Sequence, residues 1–192
     1  MTKWNNKTRY AVVMVLCVVL NMVLSEVSGN LHLPVWLDVT GTALAALLLE
    51  PTAGLIVGLA NNFFLAIFLT GTSSLFYYCI SAAVALIVGL MIREPNGGKI
   101  RRNRVLPAIA LVLIVSTLLS TVLTLLLSGG VSTSTWEVHY MDIAAAWGLP
   151  QALSCLFGVF VIKFYDTLAT AALVAVLYRV SPHSFKYPPA EA

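Results

Sequence analysis

Two apolar stretches meet at Glu50-Pro51 with almost no chain between them. Proline removes a helical hydrogen bond and biases the residue before it away from the α region. A tight helical hairpin is therefore expected, with its turn at Glu50-Pro51. Its first arm carries Asp38, Gly41, Thr42 and Ala45 at steps of three or four, on one helical face. Its second arm carries Gly54, Gly58 and Asn61 in the same way, with Asn62 at the edge of the stripe. Small residues let apolar helices approach closely, and Thr or Asn can then bond between them. Gly41, Thr42, Gly54 and Gly58 are thus expected to be helix-packing residues. A charge at the mouth of such a pair is costly in lipid, so Asp38 is expected to face protein or water. Two readings of Asp38 stand side by side: a helix cap in the headgroup region, or part of a site.

Such a hairpin belongs in a bilayer only if the rest of the chain does. The 192 residues are 59% hydrophobic and 10% charged, where an average soluble domain is about 25% charged. The expectation is an all-α, polytopic membrane protein forming one domain, a bundle of six transmembrane helices. Apolar runs put the spans at about 10–28, 35–49, 52–69, 75–92, 105–127 and 163–180. The stretch 151–162 extends the last apolar run beyond one upright span, and is expected to be an interfacial or re-entrant segment. The basic start and first apolar run also fit a signal peptide. Asn21 interrupts that run and the stretch 25–29 is a poor cleavage site, so a first helix is expected instead. Cys17, Cys79 and Cys155 lie in separate apolar runs without CxxC spacing, which indicates neither a disulfide framework nor a zinc site.

Charge is distributed unevenly along this pattern. Six spans put both termini on one side with Glu50-Pro51 and the loop 93–104, whose Pro95-Asn96-Gly97-Gly98 turn breaks the helix. That side holds Lys3, Lys7, Arg9, Arg93, Lys99, Arg101, Arg102, Arg104, Arg179 and Lys186, and the other at most Lys163. Basic loops stay inside, so both termini are expected in the cytoplasm. The basic run is read as an anchor beside anionic lipid, not as a nucleic-acid site.

No GxSxG, HExxH, P-loop or Rossmann glycine pattern occurs, so no catalytic residue, metal ligand or cofactor is assigned. His32, His139 and His183 are scattered and read as surface histidines. The outer side collects Glu26, Asp38, Glu137, Asp142 and Asp166 with Trp36, Trp136, Tyr140 and Trp147. Carboxylates with aromatics suit a pocket for a small polar or cationic ring. An aromatic belt with ordinary loop acids explains the same residues. Lys163 and Asp166, three apart, either pair with each other or face a ligand. Asn61 and Asn62 lie about 15 Å along the third span from Pro51, a depth near that of Asp38. The candidate substrate-binding residues are Asp38, Asn61, Asn62, Asp166, Lys163, Glu26, Trp36, Trp136 and Tyr140, with the loop 129–150 as a roof. The hydroxyls of Ser116, Thr117, Ser120, Thr121 and Thr124 are read mainly as bonded to their own helix.

The pattern Asp38-x-x-Gly41-Thr42, then Pro51-x-x-Gly54-x-x-x-Gly58-x-x-x-Asn62, resembles the substrate-binding S components of energy-coupling factor (ECF) transporters. Asp166 at the outer end of the last helix adds to the resemblance. It implies a bacterial cell-membrane subunit that captures a vitamin or related micronutrient at its outer face. It also implies a transmembrane coupling subunit and two cytoplasmic ATPases as partners, and toppling in the membrane to release substrate. Three positions depart from the family's usual pattern. Glu50 stands where Gly is common, Thr167 where Lys is common, and Val15 follows Ala11 where an Ala-x-x-x-Ala docking motif is common. The alternatives are a membrane sensor that binds a ligand and moves nothing, and an accessory scaffold without a ligand.

Overall fold

The computed structural model describes residues 6–68, 71–94, 99–182 and 185. The turn Pro95-Asn96-Gly97-Gly98, the expected end of the third span at Leu69, and Lys3, His183 and Lys186 lie outside them. All regular elements among the described residues are helices: α1 (Asn6–Asn30), α2 (Thr40–Leu48), α3 (Pro51–Phe68), α4 (Tyr78–Ile87), α5 (Arg102–Ser128), α6 (Thr135–Ala146) and α7 (Gln151–Val180). A 3-10 turn, Thr72–Leu75, leads into α4, and a π-helical turn, Val88–Ile92, ends it. Among the described residues five segments are long and apolar enough to cross a membrane: Lys7–Asn30, Pro51–Phe68, Thr72–Ile92, Arg102–Ser128 and Gln151–Val180. They carry large apolar side chains outward, such as Val15, Val19 and Val23 on α1 and Leu118, Val122 and Leu126 on α5. In water such continuous apolar surface would invite association; in lipid it is the natural outer face. The chain is an all-helical membrane protein.

The hairpin turn falls where proline dictates. α2 ends at Leu48 and α3 opens on Pro51, the first helical position, where a missing N–H costs nothing. The Tyr10 hydroxyl donates to Glu50 across the turn. That bond, then one involving Thr52, holds the Glu50 carboxyl below its usual range.

Three expectations need correction. The span 35–49 is too long: α2 has nine residues, about 14 Å of helix against about 30 Å of hydrocarbon. Every residue of α2 is buried, so it has no lipid face and no single packing stripe. Asp38 stands in the turn before α2, not on its face. The segment 151–162 is not separate either, because Gln151–Val180 is one helix of 30 residues. Its backbone hydrogen bonds run on without a proline or glycine pair to stop them. Finally, the loop 129–150 contains α6. Its N-cap is Ser134, whose hydroxyl accepts from the Glu137 N–H at 3.5 Å, the S-x-x-E pattern of a capping box.

α2 is the axis of the fold, packing on α1, α3, α4 and α7. The helices alternate between a hairpin end, marked by Glu50-Pro51, and an α6 end. The described bases Lys7, Arg9, Arg93, Lys99, Arg101, Arg102, Arg104 and Arg179 occupy helix ends and the link at the hairpin end.

Candidate functional site

Because α2 is short, residues 31–39 must descend from the end of α1 into the bundle, and beyond Leu31 and His32, which still bond Val27 and Gly29 of α1, they do so without continuing the helix. Non-helical backbone at membrane depth survives only where protein supplies its hydrogen bonds. Here side chains from four helices do so. Asp166 Oδ1, on α7, accepts from the Trp36 N–H at 2.9 Å and the Leu37 N–H at 2.8 Å. Asn61 Nδ2, on α3, donates to the Asp38 carbonyl at 3.2 Å. Ser28 Oγ, on α1, donates to the Val35 carbonyl. Trp136 Nε1, on α6, donates to the His32 carbonyl at 2.7 Å. Two residues of the descent, His32 and Leu37, have φ of 52° and 57°. Such angles are uncommon for non-glycine residues and persist only where the surroundings enforce them.

Asn21 secures the start of α2. It is fully buried, accepts from the Gly41 N–H and donates from Nδ2 to Thr42 Oγ1 at 3.0 Å. A Cβ on Gly41 would lie 1.9 Å from the Cys17 carbonyl oxygen. Gly41 therefore packs against α1, not against α3 as the hairpin stripe suggests. Gly54 sits between Ala46 of α2 and Ala85 of α4, with a Cβ 2.9 Å from each methyl. Gly58 faces Ser81 of α4 most closely, at 2.8 Å, and Thr42 at 3.5 Å. These two glycines join three helices, not two.

The candidate ligand residues thus divide. Asp166 and Asn61 hold backbone. Asn62 donates to the Gly58 carbonyl at 2.8 Å and Ser81 Oγ at 2.9 Å, yet still reaches a cavity. Glu26 is exposed and accepts from its neighbour Asn30. Trp136 clamps the descent, and Tyr140 lies edge-on to His139, 5.4 Å between centroids. Neither lines the cavity.

What remains forms a chamber of about 410 Å³ near the α6 end, within the range of small-molecule sites. Its walls include Trp36, Asp38, Asn62, Tyr77, Ser120, Thr124, Ser132, Glu137 and Lys163. Asp38 is half-buried, but its Oδ1 is shut from the surface and has no hydrogen-bond partner among the described residues. Lys163 is 8% exposed; its Nζ lies 3.8 Å from Asp166 Oδ2, and it also feels Asp38, Glu137 and Tyr77. Glu137 is 4% exposed and accepts from Trp36 Nε1 at 3.3 Å and from Ser132 Oγ. Around one ammonium stand three carboxylates, so the chamber carries excess negative charge when all are ionised. Trp36, Tyr77 and the hydroxyls of Ser120, Thr124 and Ser132 complete it.

Sequence reasoning passed over Tyr77, Ser81 and Ser132, and placed Glu137 only among the outer acids. The capping-box spacing from Ser134 would have fixed Glu137 at a helix start. No local signal marks Tyr77, whose hydroxyl lies 3.5 Å from Thr124 Oγ1 across two helices. Ser120 and Thr124 face the chamber, whereas Ser116 bonds the Leu113 carbonyl of its own helix at 3.3 Å.

Fold and chamber together define a polytopic helical membrane protein with a small-molecule-sized cavity near the α6 end, walled by both polar and apolar side chains. No family model, curated protein or solved structure matches the chain.

Proposed function

We propose that the chain is the substrate-binding subunit of an ECF-type transporter in a bacterial cell membrane, taking up a vitamin or related micronutrient. The observation that carries this reading is the chamber, in which the unpartnered Asp38 oxygen and buried Lys163 stand among aromatics and hydroxyls. Polar groups buried without partners are costly, and a polar ligand would supply them. The hairpin pattern from Asp38 to Asn62 supports the same family. In this reading α2 counts as a sixth, shortened span, completed by the descent 31–39. The cluster of bases at the hairpin end supports cytoplasmic termini. The carboxylate excess favours a cationic or neutral ligand over an anionic one.

Affinity purification in mild detergent, with mass spectrometry of small molecules and partner chains, tests the reading. A bound micronutrient together with a coupling subunit and two ATPases is expected. A ligand without those partners would point to a sensor, and neither to a scaffold. Asp38→Asn is expected to weaken binding of the co-purified ligand at least tenfold, about 1.4 kcal/mol, with expression and elution unchanged. Equal affinity would exclude Asp38 from the site. For the orientation, a cysteine placed at Asn103 is expected to resist impermeant thiol reagents in intact cells. Rapid labelling from outside would reverse the topology.

A further inference from the structure

A second cavity lies below the chamber and meets it at Val39, Ile80 and Lys163. α2 packs on α4 and α7, and α5 packs on the same two helices. The four ring a crevice of about 760 Å³ that extends toward the hairpin end. Its wall is aliphatic over most of its length, with Leu47, Val84, Ile109, Val112, Ala171 and Val174 among its residues, and Ser116, Thr167 and Thr170 add hydroxyls toward the chamber. Lys163 and Asp166 bound it toward the chamber, while Lys99, Arg102 and Arg179, all exposed, line its hairpin end. Beyond those hydroxyls a water-soluble micronutrient would meet mainly aliphatic side chains until it reached the bases, and polar groups buried that way are costly. A partner helix, about 10–12 Å across with its side chains, is too wide for a space already ringed by packed helices. A single hydrocarbon chain matches the wall, and an anionic head matches the three bases.

We propose that the crevice seats one acyl chain of an anionic phospholipid, with its phosphate at Lys99, Arg102 and Arg179. Basic pockets between membrane helices are suited to such headgroups. The lipid would fill the ring of helices beneath the chamber and brace it. This site is separate from the micronutrient reading and stands or falls without it.

The test uses the full chain, purified in mild detergent, stripped of lipid and titrated with phosphatidylglycerol or phosphatidylcholine of identical acyl chains. Native mass spectrometry reads retained lipid. Wild type is expected to retain phosphatidylglycerol at least about tenfold better. The combined K99Q/R102Q/R179Q variant changes only exposed side chains and is expected to lose that preference. Ala171→Phe, which fills the crevice, is expected to reduce retention of both lipids. Size-exclusion elution establishes that each variant is folded. Three results would overturn the proposal: equal retention of both lipids by wild type, an undiminished preference in the triple glutamine variant, or undiminished retention in a folded Ala171→Phe protein. A misfolded Ala171→Phe leaves the decision to the charge variant.

Discussion

α2 has two connections, and they are built by different means. At the hairpin end two residues suffice. Pro51 starts α3 by its own covalent geometry, and Tyr10 ties down Glu50. At the other end nine residues make the descent, of which Leu31 and His32 keep helix-type backbone bonds to α1, and their side-chain partners lie as far away in sequence as Asp166 is from Trp36. The first connection is local chemistry. The second exists only once α1, α3, α6 and α7 have assembled around it. The difference explains why the polar residues near the α6 end do not all belong to a site. Several are the hydrogen-bonding environment that lipid cannot offer to bare backbone.

The largest effect is expected on removing the acid that holds the descent. Asp166→Ala would leave the Trp36 and Leu37 N–H groups and the Lys163 charge without their partner. Breaking a buried pair in this way typically costs about 3–5 kcal/mol, so thermal unfolding in detergent should show a large drop. Asp166→Asn keeps an acceptor for the two N–H groups and should lose less. Equal melting of wild type and Asp166→Ala would show that the descent does not depend on this carboxylate.

Gly41→Ala should have the next largest effect. The new methyl meets the Cys17 carbonyl, so α1 and α2 must separate, and overpacking typically costs about 1–3 kcal/mol. The same assay, with ligand binding as a second readout, checks it. An unaltered protein would mean that the α1–α2 contact is looser than its geometry indicates.

The smallest effect is expected at the local turn. Tyr10→Phe removes the main interaction that holds the Glu50 carboxyl below its usual range. A carboxyl depressed in the folded state stabilises above its unfolded value, about 4.3 for Glu, and that stabilisation is lost as pH falls through the folded value. Wild type should therefore melt slightly higher than Tyr10→Phe at neutral pH, and the part of that gap due to Glu50 should close in acid. A gap that widens in acid would contradict this sign. Glu50 is largely exposed, and the proline still sets the turn.

The hairpin was legible because its cause is adjacent in sequence, and so were the apolar spans, because lipid demands long runs. The depth of Asn61 followed from helical rise counted from Pro51, and the Asn61 bond to the Asp38 carbonyl agrees with it. The partner of Lys163 was legible as one of two readings, since residues three apart share a helical face. The length of α2 was not legible. Val35 to Leu37 is apolar enough to read as helix, and only the remote Asp166 and Asn61, with the nearer Ser28, make its non-helical course affordable in the membrane.

The amino-acid sequence by itself determined that this chain is a helical membrane protein whose described bases, Lys163 apart, gather at one end. Hydropathy and charge act residue by residue, and neither needs a partner to be read. Only the tertiary structure decided which acid is bound to backbone and which is left facing a cavity. Asp38 and Asp166 are the same side chain at comparable depth. Their difference arises from hydrogen bonds and ring packing between helices far apart in the chain, and no local pattern encodes those.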